Sequence, residues 1–91
     1  MAELVPPQLL EHVAERFRVL GDSTRLAILR TLLERGELNV GEIVARLDTT
    51  QANVSKHLGV LLRAGIVSRR PLGTTAYYSI ADPSLGQLCD I

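Results

Sequence analysis

The fold of this chain is decided by residues 48–65, DTTQANVSKHLGVLLRAG, which predict a helix entered through a tight polar turn. Thr50, at the end of the turn, is a residue type that caps helix N-termini, and Gly65 is one that ends helices. Between them, apolar side chains recur at helical spacings: Val54, Leu58, Leu61 and Leu62. We therefore predict a helix from Gln51 to about Ala64 that buries this apolar stripe.

The opposite face of this helix carries small, amide and cationic side chains. On a helical wheel the outward positions are Ala52, Asn53, Lys56, Gly59, Val60 and Arg63, with Ser55 and His57 on the flanks and Gln51 at the N-terminal end. The DNA major groove admits one helix, and Asn or Gln can form two hydrogen bonds with adenine. We therefore predict DNA contacts from Gln51, Asn53, Ser55, Lys56 and His57. For His57 the alternatives are DNA contact and helix packing, since no nearby acid orients it as a catalytic base for Ser55.

Three helices are predicted before the turn. Pro6 and Pro7 suit the start of the first, whose apolar residues recur at helical spacing up to Gly21: Leu9, Leu10, Val13, Phe17 and Leu20. Asp22 or Ser23 can cap a second helix that ends at Gly36. Asn39, with Glu42 three residues later as in a capping box, predicts a short third helix. Arg25, near the start of the second helix, has two open interpretations: contact with a phosphate or pairing with a carboxylate.

After Gly65 the apolar period changes to about two, which predicts a β-hairpin with strands at residues 66–70 and 75–80 and a turn at 71–74. Its candidate DNA contacts are Arg69, Arg70 and Thr74. Because neighbouring residues on a strand face opposite sides, at most one of the two arginines follows the groove. A last helix is predicted to start after the hairpin, at Leu85, Leu88 and Ile91. Residues 1–91 therefore form one mainly α domain with a small β-hairpin, in the order α-α-α-α-β-β-α, which is a winged helix-turn-helix.

Charge is unevenly distributed along the chain, although the formal net charge is zero. Residues 49–81 contain no Asp or Glu but include Lys56, Arg63, Arg69 and Arg70. Lys and Arg side chains neutralise phosphates, and the release of counterions then drives much of the affinity for nucleic acid. The predicted helix and hairpin therefore form a local basic surface suited to double-stranded DNA.

Composition and motifs disfavour several function classes. An apolar share of 46% with 22% charged residues is typical of a globular domain. No apolar run approaches the roughly 18 residues that cross a bilayer, and no secretory leader pattern is present, so we expect a cytoplasmic protein without a membrane partner. A phosphate-binding glycine loop, an HExxH motif and a nucleophile elbow are all absent from the sequence, so we expect neither an enzyme nor a bound cofactor.

A second copy of the chain is the expected protein partner. A chain of 91 residues buries a limited core. That core has little surface left to cover both the last helix and the first helix, which presents Leu9, Val13 and Phe17. We therefore expect these two helices to form a homodimer interface.

Five sequence stretches resemble the ArsR/SmtB family of metalloregulatory repressors. They are residues 17–26 (FRVLGDSTRL), 37–43 (ELNVGEI), 55–58 (SKHL), 64–70 (AGIVSRR) and 77–78 (YY), and the resemblance covers about residues 12–88. It implies a homodimer built through its first and last helices that leaves its operator when an inducer, usually a metal ion, binds.

The metal sites of that family do not carry over to this chain. Where members with a third-helix site have Cys-x-Cys, this chain has Asn39-Val40-Gly41. Members with a last-helix site use an Asp and a His near its start; here Asp82 matches, and Ser84 stands in place of the His. No metal site is therefore expected. Cys89 has two open interpretations: an inducer site, alone or with His12 across the interface, and a structural role. The adjacent Asp90 favours the structural role, because its negative charge disfavours a reactive thiolate.

We therefore predict a sequence-specific DNA-binding transcriptional regulator, a dimeric repressor that an inducer releases from its operator. The alternative is a winged-helix module that binds protein and not DNA. Salt separates the two, because phosphate contacts predict an affinity that falls steeply as salt is added.

Overall fold

Residues 6–81 are described by a computed structural model, in which four helices and three strands are formed. In chain order they are α1 (Pro7–Leu20), α2 (Ser23–Arg35), β1 (Glu37–Asn39), α3 (Val40–Val44), α4 (Gln51–Arg63), β2 (Val67–Leu72) and β3 (Thr75–Ile80). The predicted winged helix-turn-helix is confirmed. The predicted last helix, with Leu85 and Leu88, lies outside the described residues, as do Asp82, Ser84 and Cys89. Within residues 6–81, no helix is long and apolar enough to cross a membrane.

Side-chain caps begin three of the helices at predicted residues. Asp22 accepts hydrogen bonds from backbone N–H groups two and three residues on, at 2.8 and 3.1 Å. Asn39 and Glu42 form the capping box, in which each side chain accepts from the other's backbone N–H at 2.8 and 2.9 Å. Thr50 Oγ1 accepts from the N–H of Asn53 at 3.1 Å. Each cap pairs N–H groups that a helix leaves without partners, so neighbouring residues decide where these helices begin.

The hairpin is part of a three-stranded antiparallel sheet in the order β1-β3-β2. The third member, β1, was not predicted, because three residues are too few to show a period of two. The turn is also shorter than predicted: Pro71 and Leu72 belong to β2, and only Gly73 and Thr74 join the strands. Gly73 has φ 64°, the positive value that a type II′ turn requires at its first central residue. Pro71 is tolerated in β2 because that strand lies at the edge of the sheet.

One hydrophobic core lies between the helices and the sheet. Its most enclosed side chains are under 2% exposed: Ile28, Leu32, Ile43, Val54, Leu58, Leu61, Ile66 and Val67. The prediction that Leu62 belongs to the buried stripe of α4 is wrong, because its side chain is 38% exposed. The buried arc of α4 extends in the other direction, to His57 and to Val60, which the helical wheel placed outward. The reason is that α2 packs on that side of α4, where Arg25 reaches His57.

The first helix contributes little to this core. Among the residues of α1, only Val19, near the C-terminal end, is buried. Leu20, at its end, is half-buried against the core, whereas four other large apolar side chains of α1 are exposed: Leu9, Leu10, Val13 and Phe17. The helix therefore presents an apolar surface that the described part of the chain leaves uncovered.

Candidate nucleic-acid interface

The first two turns of α4 present an exposed polar face. Gln51, Ser55 and Lys56 are exposed, and the small side chain of Ala52 lies among them. No acidic residue occupies the first turn, and the N-terminus of a helix carries a partial positive charge, to which Lys56 adds a full one. The arrangement allows an anionic polymer to approach the helix end closely.

Two other predicted contacts on α4 have partners inside the protein. Asn53 is half-buried, and its Nδ2 donates to Thr49 Oγ1 at 2.8 Å across the turn that precedes the helix. His57 is 5% exposed, and its Nδ1 accepts a hydrogen bond from Arg25 Nε at 3.1 Å. Of the two roles considered for His57, its burial favours helix packing over DNA contact.

The two hairpin arginines face opposite sides of the sheet. In the β2–β3 register, Arg69 lies opposite Tyr78 and Arg70 lies opposite Tyr77. Arg70 donates from Nε and Nη2 to the two carboxylate oxygens of Glu37, at 2.9 and 2.8 Å, and its guanidinium carbon lies 5.5 Å from the centre of the Tyr77 ring. The hydrogen bonds from Arg70 lower the pKa of Glu37 and raise that of Arg70. Arg70 thus binds within the sheet, across β3 to β1.

A cleft of about 450 Å³ lies between the hairpin and the N-terminal ends of α3 and α4. Its walls include Gln51 from α4, Arg69 from β2, Thr74 from the hairpin turn and Asn39 from the start of α3. Three contacts that were predicted from separate segments, Gln51, Arg69 and Thr74, therefore share one concave surface. A guanidinium and a hydroxyl are groups that proteins commonly present to the DNA backbone, and an amide can pair with a base.

Arg25 and Glu37 have partners that sequence reasoning missed. The Arg25 side chain donates to His57 and, from Nη1, to the carbonyl oxygen of Val19 at 3.2 Å. Neither acceptor is a carboxylate, the protein partner considered for Arg25 from the sequence. Glu37 binds Arg70 because β1 joins the sheet next to β3. These side-chain pairs are 32 and 33 residues apart in the chain, so no local pattern indicates them.

The described residues contain no group of three or more His, Cys, Asp or Glu side chains placed to hold a metal ion. His12 is exposed on α1, and Cys89 lies outside the described range, so the inducer site considered for these two residues stays a prediction. Ser55 is exposed whereas His57 is buried against Arg25, an arrangement that does not make His57 a base for Ser55.

Known proteins resemble this chain in sequence and in fold. Residues 20–70 match the helix-turn-helix domain family. An uncharacterized HTH-type transcriptional regulator of Methanocaldococcus jannaschii is 41% identical over 78 residues, which cover 86% of this chain and 88% of that protein. The arsenical resistance operon repressor of Bacillus subtilis is 32% identical over 81 residues, which cover 89% of this chain and 77% of the repressor. A homodimeric winged helix-turn-helix DNA-binding domain from Mycobacterium bovis, a possible ArsR-family transcriptional regulator, has a structure similar to this one with a TM-score of 0.79 and 33% identity, covering 89% of this chain and 74% of that one.

Proposed function

This chain belongs to the ArsR family of winged helix-turn-helix transcriptional regulators and is a DNA-binding repressor, and we propose that it acts as a homodimer whose two α4 helices contact a palindromic operator. The observation that best supports this is the exposed N-terminal face of α4, with Gln51 beside Arg69 and Thr74 in one cleft. The two relatives described above are transcriptional regulators, which favours DNA over the protein-binding alternative and a regulator over an enzyme.

The exposed residues of α4 and the hairpin divide into base-reading and phosphate-binding groups. Gln51 stands at the N-terminal end of α4 and has an amide that can pair with adenine through two hydrogen bonds. Lys56 lies one turn further along, where its ammonium suits a backbone phosphate. Arg69 and Thr74 line the cleft from the hairpin side and suit the same role. We do not include Arg70 among the phosphate-binding residues, because its guanidinium is engaged by Glu37.

The proposed dimer interface is the α1 surface, which we define as Leu9, Leu10, Val13 and Phe17. These side chains are 48%, 54%, 38% and 71% exposed in one subunit. A contiguous apolar patch on a small domain commonly marks a protein interface. A twofold axis through this interface would place the two α4 helices over half-sites about 34 Å apart, one turn of DNA, or a multiple of it.

The proposal is tested by selecting an operator from random-sequence DNA with the wild-type protein and then measuring affinities by fluorescence anisotropy. Lys56→Ala is expected to weaken binding to every sequence and to reduce the slope of log affinity against log salt by about 1. Gln51→Ala is expected to relax the preference at one base pair, by about 1–3 kcal/mol. Arg30→Ala is the matched control, because Arg30 is an exposed cation on α2 that pairs with Glu34.

Two outcomes would contradict the proposal. One is a selection that enriches no palindrome. The other is a pair of Lys56 and Gln51 variants whose affinity, salt slope and base preference all equal those of the Arg30 control.

A further inference from the structure

One side chain, that of Arg25, forms hydrogen bonds to two helices besides its own. Arg25 lies in the first turn of α2. Its Nη1 donates to the carbonyl oxygen of Val19 at 3.2 Å, near the C-terminal end of α1, and its Nε donates to His57 Nδ1 at 3.1 Å, in the middle of α4. The guanidinium therefore connects the helix of the proposed dimer interface with the helix of the proposed DNA interface.

The acceptor of this contact on α4 is buried. His57 is 5% exposed and stands between exposed Lys56 and Leu58, which is 1% exposed. The Nδ1 of His57 accepts the hydrogen bond from Arg25 Nε. A buried acceptor that loses its donor is costly, so the pair resists separation.

The directional character of the Arg25 contacts distinguishes them from the rest of the packing of α4. Val54, Leu58 and Leu61 attach the helix to the core through apolar contacts, which depend on buried area and only weakly on direction. A hydrogen bond requires a narrow range of distance and angle. The two bonds of Arg25 therefore define where α4 lies relative to the end of α1 more narrowly than apolar packing alone does.

We propose that Arg25 is a positioning residue for operator recognition: by joining α1 to α4 through His57, it holds the two α4 helices of the dimer at one separation and so sets the half-site spacing that the protein accepts. This inference rests on the proposed function. It concerns the spacing between half-sites, whereas Gln51 and Lys56 act within each half-site.

The experiment compares duplexes in which the centre of the selected palindrome is lengthened or shortened by one base pair. Each such change moves one half-site by about 3.4 Å and rotates it by about 35°. The readout is the spacing ratio, which we define as the dissociation constant for an altered duplex divided by that for the selected one. For the wild type we expect a ratio of about tenfold or more, comparable to a mismatched base pair.

Two pairs of variants test the contact, one pair at each end. Arg25→Met removes the donors, and Arg30→Met makes the same change on an exposed arginine of the same helix. His57→Leu removes the acceptor, and His57→Asn keeps one, because an Asn oxygen can occupy a position near that of Nδ1. We expect Arg25→Met and His57→Leu to reduce the spacing ratio to about threefold or less, and Arg30→Met and His57→Asn to retain most of the wild-type ratio.

A purely structural role for Arg25 gives a different result. Loss of stability lowers the folded fraction and weakens binding to all spacings by the same factor, so the ratio stays unchanged; urea unfolding of each variant measures that fraction. Arg25→Lys is a milder second variant, which keeps the charge but lacks the two donor nitrogens of the guanidinium plane, and its ratio is also expected to fall. Folded Arg25→Met, Arg25→Lys or His57→Leu protein with the wild-type ratio would overturn the inference, whereas failure of the wild type to select a palindrome would overturn the proposed function itself.

Discussion

Replacing Phe17 by Ala should weaken the proposed homodimer by about three orders of magnitude. Phe17 is 71% exposed in one subunit and lies on the α1 surface with Leu10, which is 54% exposed. Fully burying a Phe side chain stabilises by about 1.5–3 kcal/mol, so covering the exposed part of this ring contributes about 2 kcal/mol per subunit. Twofold symmetry counts the residue twice, and about 4 kcal/mol corresponds to a dissociation constant raised by about a thousandfold.

Sedimentation velocity over a concentration series measures this change directly. Leu72→Ala is the matched control, because Leu72 is also a large exposed side chain, at 56%, but lies beside the hairpin turn, away from α1. We expect Leu72→Ala to dimerise like the wild type. A Phe17→Ala protein with the wild-type dissociation constant, or an equal loss in both variants, would show that α1 does not form the interface.

Three further predictions concern stability and the hairpin. The pKa of Asp22 lies below its ordinary value of 3.8, chiefly because the carboxylate accepts a hydrogen bond from the backbone N–H of Arg25, so the charged cap stabilises the fold above that pH. The difference in Tm between wild type and Asp22→Asn should therefore shrink as the pH falls through the lowered pKa. Leu61→Ala should reduce the free energy of unfolding by about 2–5 kcal/mol in urea titrations, and Leu62→Ala by less than half of that, since Leu61 is 0% and Leu62 is 38% exposed. Arg69→Ala should reduce the salt slope of DNA binding by about 1, while Arg70→Ala should leave it unchanged; equal slopes would contradict the separate roles.

The helix boundaries were predictable because they depend on neighbouring residues. Asp22, Asn39 and Thr50 cap α2, α3 and α4 through hydrogen bonds that span two or three residues. Such contacts form whenever the local sequence adopts a helix, whatever the rest of the chain does. The predicted exposure of Gln51 and Lys56 follows in the same way from the spacing of the buried residues on α4.

The predictions that failed depend on which distant element packs where. The helical wheel placed Leu62 in the core and His57 on the flank, but α2 approaches α4 from the His57 side and moves the buried arc with it. A wheel describes one helix and contains no information about the direction of its neighbour. The same limit hid the bond between Arg70 and Glu37, which forms only once β1 lies next to β3.

The unpredicted strand β1 explains how two separately predicted regions become one surface, the proposed DNA interface. It pairs with β3 through the register Leu38↔Tyr78 and ends at Asn39, the residue that caps α3. The sheet is therefore attached to the helix-turn-helix by a covalent connection with no intervening residue, since α3 begins at Val40. Arg70 reaches across β3 to Glu37 and so fastens the outer strand of the hairpin to β1. Arg69 is adjacent to Arg70 and faces the other side of the sheet, so the contact that engages Arg70 with Glu37 leaves Arg69 in the cleft with Gln51.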